Sequence, residues 1–438
     1  MNRKAIARWG TVALALLLAG ACTSKSGDSA SSSSSTSSSA AGSSSSASSS
    51  VAIGDQTGPA PGVTDTAIKI GITYVDLDAV RQFVDLDQGD YKASYQALID
   101  DINAKGGING RQIVPVYAPV NPIGTAPAEE VCVKLTEDEH VFAVLGFFLD
   151  DGVLCPVAQH STATIGGVMT DARFKQATAP WFTTDPGQDA DLEGVRAMAK
   201  AGALTGKVGV FASVLSQPEL DGVKGALSDA GITPVDSAVL DAPANDLAAQ
   251  NSATAVIAER FKSEGIDKIL VVGSAANAIG NGLAPLDYRP QLLFSDRTAI
   301  DGYTQGKNAD LSMMKGAVLG AIDNQQFDEK GMQDCLAQLA AKGITGIKDP
   351  NTLAPGDPQP FVSASAACRN VGLFAAIAQA ATKNLNYGTF QAAGESLTKL
   401  HLPGAADDYH YGAFPARDGD QPAYLWDWDT TTSKFKRR

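Results

Sequence analysis

The sequence predicts an α/β protein made of two doubly wound lobes. Three observations carry that prediction. Runs rich in β-branched residues alternate with segments of helical spacing, the connections between them are short, and the strand–helix cycle occurs twice along the chain. The 438 residues are enough for one large domain or two of ordinary size. Hydrophobic residues make up 44 % and charged residues 19 %, a globular composition that can bury a sizeable core.

In the first cycle, "AIKIGITYV" (67–75) reads as a buried strand. "DYKASYQALIDDINAKG" follows, with Tyr91, Tyr95, Leu98, Ile99 and Ile102 at helical spacing. Gly106 or Gly107 can supply the left-handed residue that ends this helix. Gly110 can sit in the tight turn that swings the strand "RQIVPVYAP" in beside the first. A helix "APAEEVCVKLTEDEH", a strand "VFAVLGFF", a helix "GVLCPVAQHS" and a strand "TATIGGVMT" complete the cycle.

The second cycle starts after Phe182 with the helix "GVRAMAKAGA" and the strand "KVGVFAS". The helix "LDGVKGALSDAG", the strand "ITPVDSAVL", the helix "NSATAVIAERFKSEG" and the strands "IDKILVVGS" and "QLLFSD" follow. A third section opens on "GAVLGAI" (316–322) and is dominated by the apolar helix "ASAACRNVGLFAAIAQAATK". The tail "QPAYLWDWDTTTSKFKRR" reads as two short strands.

Residues 1–62 are of another kind. Arg3, Lys4 and Arg8 precede the apolar run "TVALALLLAGAC", the pattern of a secretory signal spanning 1–21. That run falls short of the roughly 20 residues that span a bilayer. "LLAGAC" resembles the lipobox of bacterial lipoproteins, with Ala19 at the position usually held by Leu, and implies lipidation of Cys22. Residues 22–62 are dominated by serine and cannot bury enough apolar surface to offset their ordering entropy. They read as a disordered tether with a reach on the order of 35 Å.

The formal net charge of −14 argues against a nucleic-acid partner. Besides Cys22 there are Cys132, Cys155, Cys335 and Cys368, an even number that suggests two disulfides outside the cytoplasm, with three pairings open. No metal site is expected, because the chain lacks C-x-x-C and its histidines, His140, His160, His401 and His410, are scattered. No enzyme is expected either, nor a cofactor. The chain carries no G-x-S-x-G, H-E-x-x-H or G-x-x-x-x-G-K-[ST], and "GSAANAIGNG" only loosely imitates a dinucleotide fingerprint.

In open α/β sheets ligands sit beyond the carboxyl ends of the strands. That rule selects the loops "TYVDLD", "FFLDDG", "GVMTD", "ASVLSQ", "GSAANA" and "FSDRT". The candidate ligand-binding residues on them are Tyr74, Asp76, Phe148, Leu149, Asp150, Met169, Thr170, Ser213, Ser274, Asp296 and Arg297. Structural roles compete with this reading: core packing for Tyr74 and Phe148, helix capping for Asp150 and Asp151, a solvated turn for Asp296, and an Arg297–Asp296 pair.

"IKIGI", the helix ending "DINAKGGINGRQI", "VPVYAP", "VFAVLG" and the Cys-bearing helix after it resemble the type I periplasmic binding proteins of the branched-chain amino-acid class. These are the solute receptors of ABC importers. The resemblance runs from about Val63 to the end and implies two lobes joined by three crossing strands, with ligand between them. Lobe one would be 63–183 with 320–412, and lobe two 184–319 with 413–438. Crossings would fall near Thr183–Asp185, Ala321–Asn324 and Phe414–Asp418. The resemblance also implies a Cys132–Cys155 bond, which leaves Cys335–Cys368.

It further implies the partners: a small polar ligand, an ABC permease, and the membrane through the lipid anchor on its extracytoplasmic face. Amino-acid receptors of this class carry a Ser-rich loop after the third strand, whose hydroxyls hold the ligand carboxylate. This chain has Phe147, Phe148, Leu149, Asp150 and Asp151 there. Thr170 matches a family threonine, and Asp296 falls where the family holds the ligand amine. The expected ligand therefore bears amine or hydroxyl groups and has little anionic character. A sensor or envelope interaction protein of the same fold is the alternative.

Overall fold

The computed structural model describes residues 56–438, apart from 82–85, 123–124, 186–187, 244–245, 305–308, 355, 414–418 and 420. The signal segment 1–21, Cys22, the tether as far as residue 55 and the crossing expected at 414–418 lie outside the described residues.

The first cycle forms strands β1 (Ala67–Val75), β2 (Gln112–Val120), β3 (Ala143–Gly146), β4 (Ala163–Gly166) and β5 (Trp181–Phe182). They make one parallel sheet in the order β2-β1-β3-β4-β5. Helices α1 (Tyr91–Ala104), α2 (Ala126–Val133) and α3 (Asp171–Phe174) lie between them. The second cycle forms α4 (Gln188–Lys200), β6 (Val208–Ser213), α5 (Gln217–Asp229), β7 (Asp236–Leu240), α6 (Leu247–Ser263) and β8 (Lys268–Val272). It continues as α7 (Ala276–Leu283), β9 (Gln291–Phe294), α8 (Arg297–Thr304) and β10 (Val318–Ile322). The chain then adds α9 (Lys330–Ala341), α10 (Phe361–Ala380), α11 (Tyr387–Glu395), β11 (Ala423–Asp429) and β12 (Lys434–Arg437). The second sheet has the order β12-β11-β10-β9-β8-β6-β7, parallel except for the tail strands β11 and β12.

Both sheets are covered on both faces. Neighbouring residues on the inner strands of the second sheet point to opposite sides, as a pleated strand requires. Val210, Leu270 and Leu293 enter a core with Val195, Met198 and Leu227 of α4 and α5. Phe211, Val271 and Phe294 enter another with Phe261, Ile279 and Ile300 of α6, α7 and α8. On the first sheet, Ile68, Ile70 and Ile72 share a core with α1, α9, α10, α11 and the segment that ends at Tyr411. So α9 to α11 follow the second sheet in sequence yet pack on the first. Strand β10 lies whole in the second sheet, and the chain leaves that sheet at Asp323.

The glycines after α1 do what their spacing predicts. The Gly107 N–H donates to the Ile102 carbonyl and the Gly106 N–H to that of Asn103, each at 3.0 Å. That bond pair is a Schellman cap, and both glycines have positive φ. Asn109 also adopts positive φ, and its amide donates to the Ala378 carbonyl at 3.1 Å, which ties this turn to the end of α10.

Two local expectations are corrected. The helix expected over residues 152–161 is not one regular helix; a 3-10 turn, Asp150–Val153, leads into a π-helical turn, Cys155–Gln159. Pro156 has no N–H to donate and restricts the residue before it. Strand β4 stops at Gly166 because Gly166 and Gly167 both turn to positive φ. The cysteines pair as Cys132–Cys155 and Cys335–Cys368, the latter joining α9 to α10.

Candidate ligand-binding site

Parallel strands bring the carboxyl ends of β1, β3 and β4 to one edge of the first sheet, and those of β6, β8 and β9 to one edge of the second. The predicted site residues lie at these edges, in the loops, at the strand ends or, for Arg297, at the start of α8. On the first sheet, the Tyr74 ring stacks on Tyr91 with centroids 5.9 Å apart. Burial, and then the nearby Asp90 and Asp76, raise the Tyr74 phenol above its ordinary range. Asp76 Oδ1 accepts from the Ala79 N–H at 3.3 Å and shapes the turn after β1.

Phe148 and Leu149 line a small, mostly apolar pocket with Thr73, Val144 and Pro156. Its volume of about 20 Å³ suits one water, not a solute. Met169 is buried at 4 % exposure in a core with Val153, Val157 and Trp181. Thr170 Oγ1 accepts from the Arg173 N–H at 3.2 Å and caps the short helix α3. Arg173 in turn pairs with Asp151 at 2.7 Å, so one of the two carboxylates in the loop after β3 already has a counter-charge. The side chains of Asp150 and Ser274 lie outside the described residues.

On the second sheet, Ser213 and Ser216 hydroxyls share a hydrogen bond of 3.2 Å. Asp296 Oδ1 accepts from the Ala299 N–H at 3.0 Å and so caps α8. Arg297 pairs with Asp301 at 3.6 Å and lies over the Trp426 ring at 3.9 Å from its centroid. The pair weighed from the sequence, Arg297 with Asp296, is thus replaced by one a turn further along α8.

The structure also gathers residues that the sequence reading did not single out. Asp191, in the first turn of α4, has its carboxyl raised well above the usual range, first by burial and then by Asp296, Asp185 and Glu219. The three carboxylates that act on it, Asp296, Asp185 and Glu219, give the tip of the second sheet a negative field. Beside it lies a groove of about 710 Å³. One wall carries Gln88, Phe361, Ser365 and Arg369, and the other Arg297, Asp301, Trp426 and Lys434; Asp185, Asp323 and Gln326 lie along the connecting segments. Arg297 is the one predicted site residue on this lining. Arg369 carried a signal in the sequence, being the one charged residue in the 20 residues of α10.

Periplasmic binding protein type 1 from Bordetella pertussis Tohama I superposes with a TM-score of 0.63 over 85% of this chain and 99% of its own, at 16% identity. This chain has the type I periplasmic binding protein fold. The branched-chain amino acid transporter substrate-binding protein LivJ from Streptococcus pneumoniae, in complex with isoleucine, matches at a TM-score of 0.57, with 17% identity over 85% of this chain and 98% of that one. The solute-binding protein of an ABC transporter from R. palustris, in complex with 4-hydroxybenzoate, matches at 0.61, with 16% identity over 85% and 95%. No protein-family model and no curated protein matches the sequence. The groove described above is walled by elements that pack on the first sheet and by elements that pack on the second.

Proposed function

We propose that the protein is an extracytoplasmic solute-binding protein, anchored by lipid at Cys22, that captures a small polar molecule between its lobes and delivers it to an ABC importer. The reading rests on one observation above others: a groove of about 710 Å³ walled by both lobes of a type I fold, with connecting segments along it. A ligand touching both walls favours the closed arrangement, because it gains contacts there that the open one lacks. Binding of isoleucine and of 4-hydroxybenzoate by proteins of the same fold is consistent with a small solute. The carboxylates around Asp191 supply the charge that an amine or a hydrogen-bonding hydroxyl requires. No catalytic role is assigned. A ligand sensor of the same architecture would bind alike but would not feed a permease.

A thermal-shift screen of amino acids, polyamines, polyols and aromatic acids tests the reading. A ligand at 100 times its Kd should add about 2.7 kcal/mol of stability. If nothing shifts the melt, and nothing small leaves with the natively purified protein on mass spectrometry, solute capture is wrong. Loss of membrane association in Cys22→Ser checks the anchor.

A further inference from the structure

Among the described residues, one cation of the groove has no carboxylate partner. Arg437 pairs with Asp323 at 2.7 Å and lies over the Tyr424 ring. Lys434 donates to the Pro350 carbonyl. Arg297 pairs with Asp301, although its Nη2 is enclosed and without a hydrogen-bond partner. Arg369 differs from all three. Among the described residues its one polar side-chain neighbour is the neutral phenol of Tyr409, it has no ion pair, and both its Nε and Nη1 are shut off from water without an acceptor.

Nothing in α10 requires this charge. The helix is otherwise uncharged, and Phe361, Val362, Ser365, Ala366 and Arg369 present one face of it to the groove. A buried donor without a partner has lost its hydration and gained nothing in return, and the cost is larger when it is charged. The planar fork of a guanidinium is matched by a carboxylate, which can accept two of its N–H groups at once. Arg297 faces the groove from lobe two with an unsatisfied nitrogen of its own.

We propose that Arg369 anchors a carboxylate on the captured solute, and that Arg297 closes on the same group from the opposite lobe. The inference rests on the solute-capture reading and amends its ligand class. The solute bears an acid group, held on α10 rather than in the loop after β3. Phe327, Phe361 and Trp426 line the same groove and supply apolar surface for the body of the molecule.

The test is calorimetry and thermal shift on the full chain with matched probes. These are isoleucine against isoleucinamide and 4-hydroxybenzoate against 4-hydroxybenzamide, with putrescine and inositol as probes lacking an acid. At least one acid should bind while its amide does not. Arg369→Gln should weaken that acid by about tenfold or more, and Arg369→Lys, which keeps the charge but not the fork, should recover part of the loss. An amide that binds as well as its acid, or an acid bound undiminished by Arg369→Gln, overturns the inference. Binding of putrescine or inositol alone overturns it too, yet leaves solute capture standing. Silence from all six probes, with nothing carried by the natively purified protein, removes both. The acid–amide comparison needs no variant, so it holds even if Arg369→Gln fails to fold.

Discussion

The phenol of Tyr409 donates to the carbonyl oxygen of Thr184 at 2.7 Å, inside the protein, at the point where the chain passes from the first sheet to the second. Tyr411 does the same for Thr183 at 2.7 Å, and the two rings stack. Asn370 extends the network, accepting from the Thr184 hydroxyl and donating to Tyr95. A crossing segment has no sheet neighbours to satisfy its backbone, so these phenols stand in for them. They also seat the crossing against α10, one residue from Arg369.

Tyr409→Phe removes the donor and leaves the Thr184 carbonyl unpaired in a buried site. The expected loss is about 1–3 kcal/mol in urea unfolding, with the same sign for Tyr411→Phe. A change below about 0.5 kcal/mol in both would mean that the crossing is held by other contacts.

Gly107 and Gly106 both have positive φ, but only one is crowded. A Cβ on Gly107 would lie 1.9 Å from the Arg111 carbonyl oxygen, whereas one on Gly106 would meet nothing within 4 Å. Gly106→Ala should therefore cost only the backbone term, about 1–2 kcal/mol. Gly107→Ala should cost more, about 3 kcal/mol or above, because the turn into β2 must shift. Thermal melts of the two variants rank them, and equal melting temperatures would contradict the crowding argument.

The alternation of strands and helices was readable because burial leaves its period on the sequence. Ile68, Ile70 and Ile72 alternate along β1, and the apolar residues of α1 recur at helical spacing. Residues 150–159 broke the pattern because Pro156 denied the helix a donor and the disulfide at Cys155 held the turn. The loops at the strand tips were predicted from topology alone, and their side chains proved divided. Met169 turned into the core and Asp296 into a helix cap, while Arg297 reached the groove. The other groove residues come from separate segments spread between Gln88 and Arg437, and no local period records such a meeting. Arg369 was marked only by being a charge in a helix that had no other.

Glu329 provides a pH test with a definite sign. Burial works to raise its pKa, but the backbone N–H groups of Gly331, Gly404 and Met332, with His401, outweigh burial and hold it below the ordinary glutamate range. A carboxyl with a lowered folded pKa contributes stability above its unfolded value, about 4.3, and that stability is lost as pH falls through the folded value. Between pH 6 and 3 the wild type should lose stability more steeply than Glu329→Gln. Parallel curves for the two proteins in urea titrations would show that the N–H groups do not favour the charged form.

Asp191 should behave in the opposite sense. Its folded pKa is raised, chiefly by burial and then by Asp296, Asp185 and Glu219. The folded state therefore holds this proton after the unfolded chain has lost its own, and stability falls as pH rises from the unfolded value, about 3.9, through the folded one. Asp191→Asn removes that loss. The unliganded variant should be more stable than the wild type at pH 7 and less sensitive to pH above 4. If an amine-bearing solute draws the proton off Asp191 and pairs with it beside Asp296, Asp185 and Glu219, the same substitution should weaken binding of that solute while it stabilises the empty protein. Stability without ligand and affinity for it would then move in opposite directions, a trade expected of a charge cluster kept for recognition rather than for folding. A destabilised Asp191→Asn, or one that binds the amine as tightly as before, would remove the cluster from the recognition site.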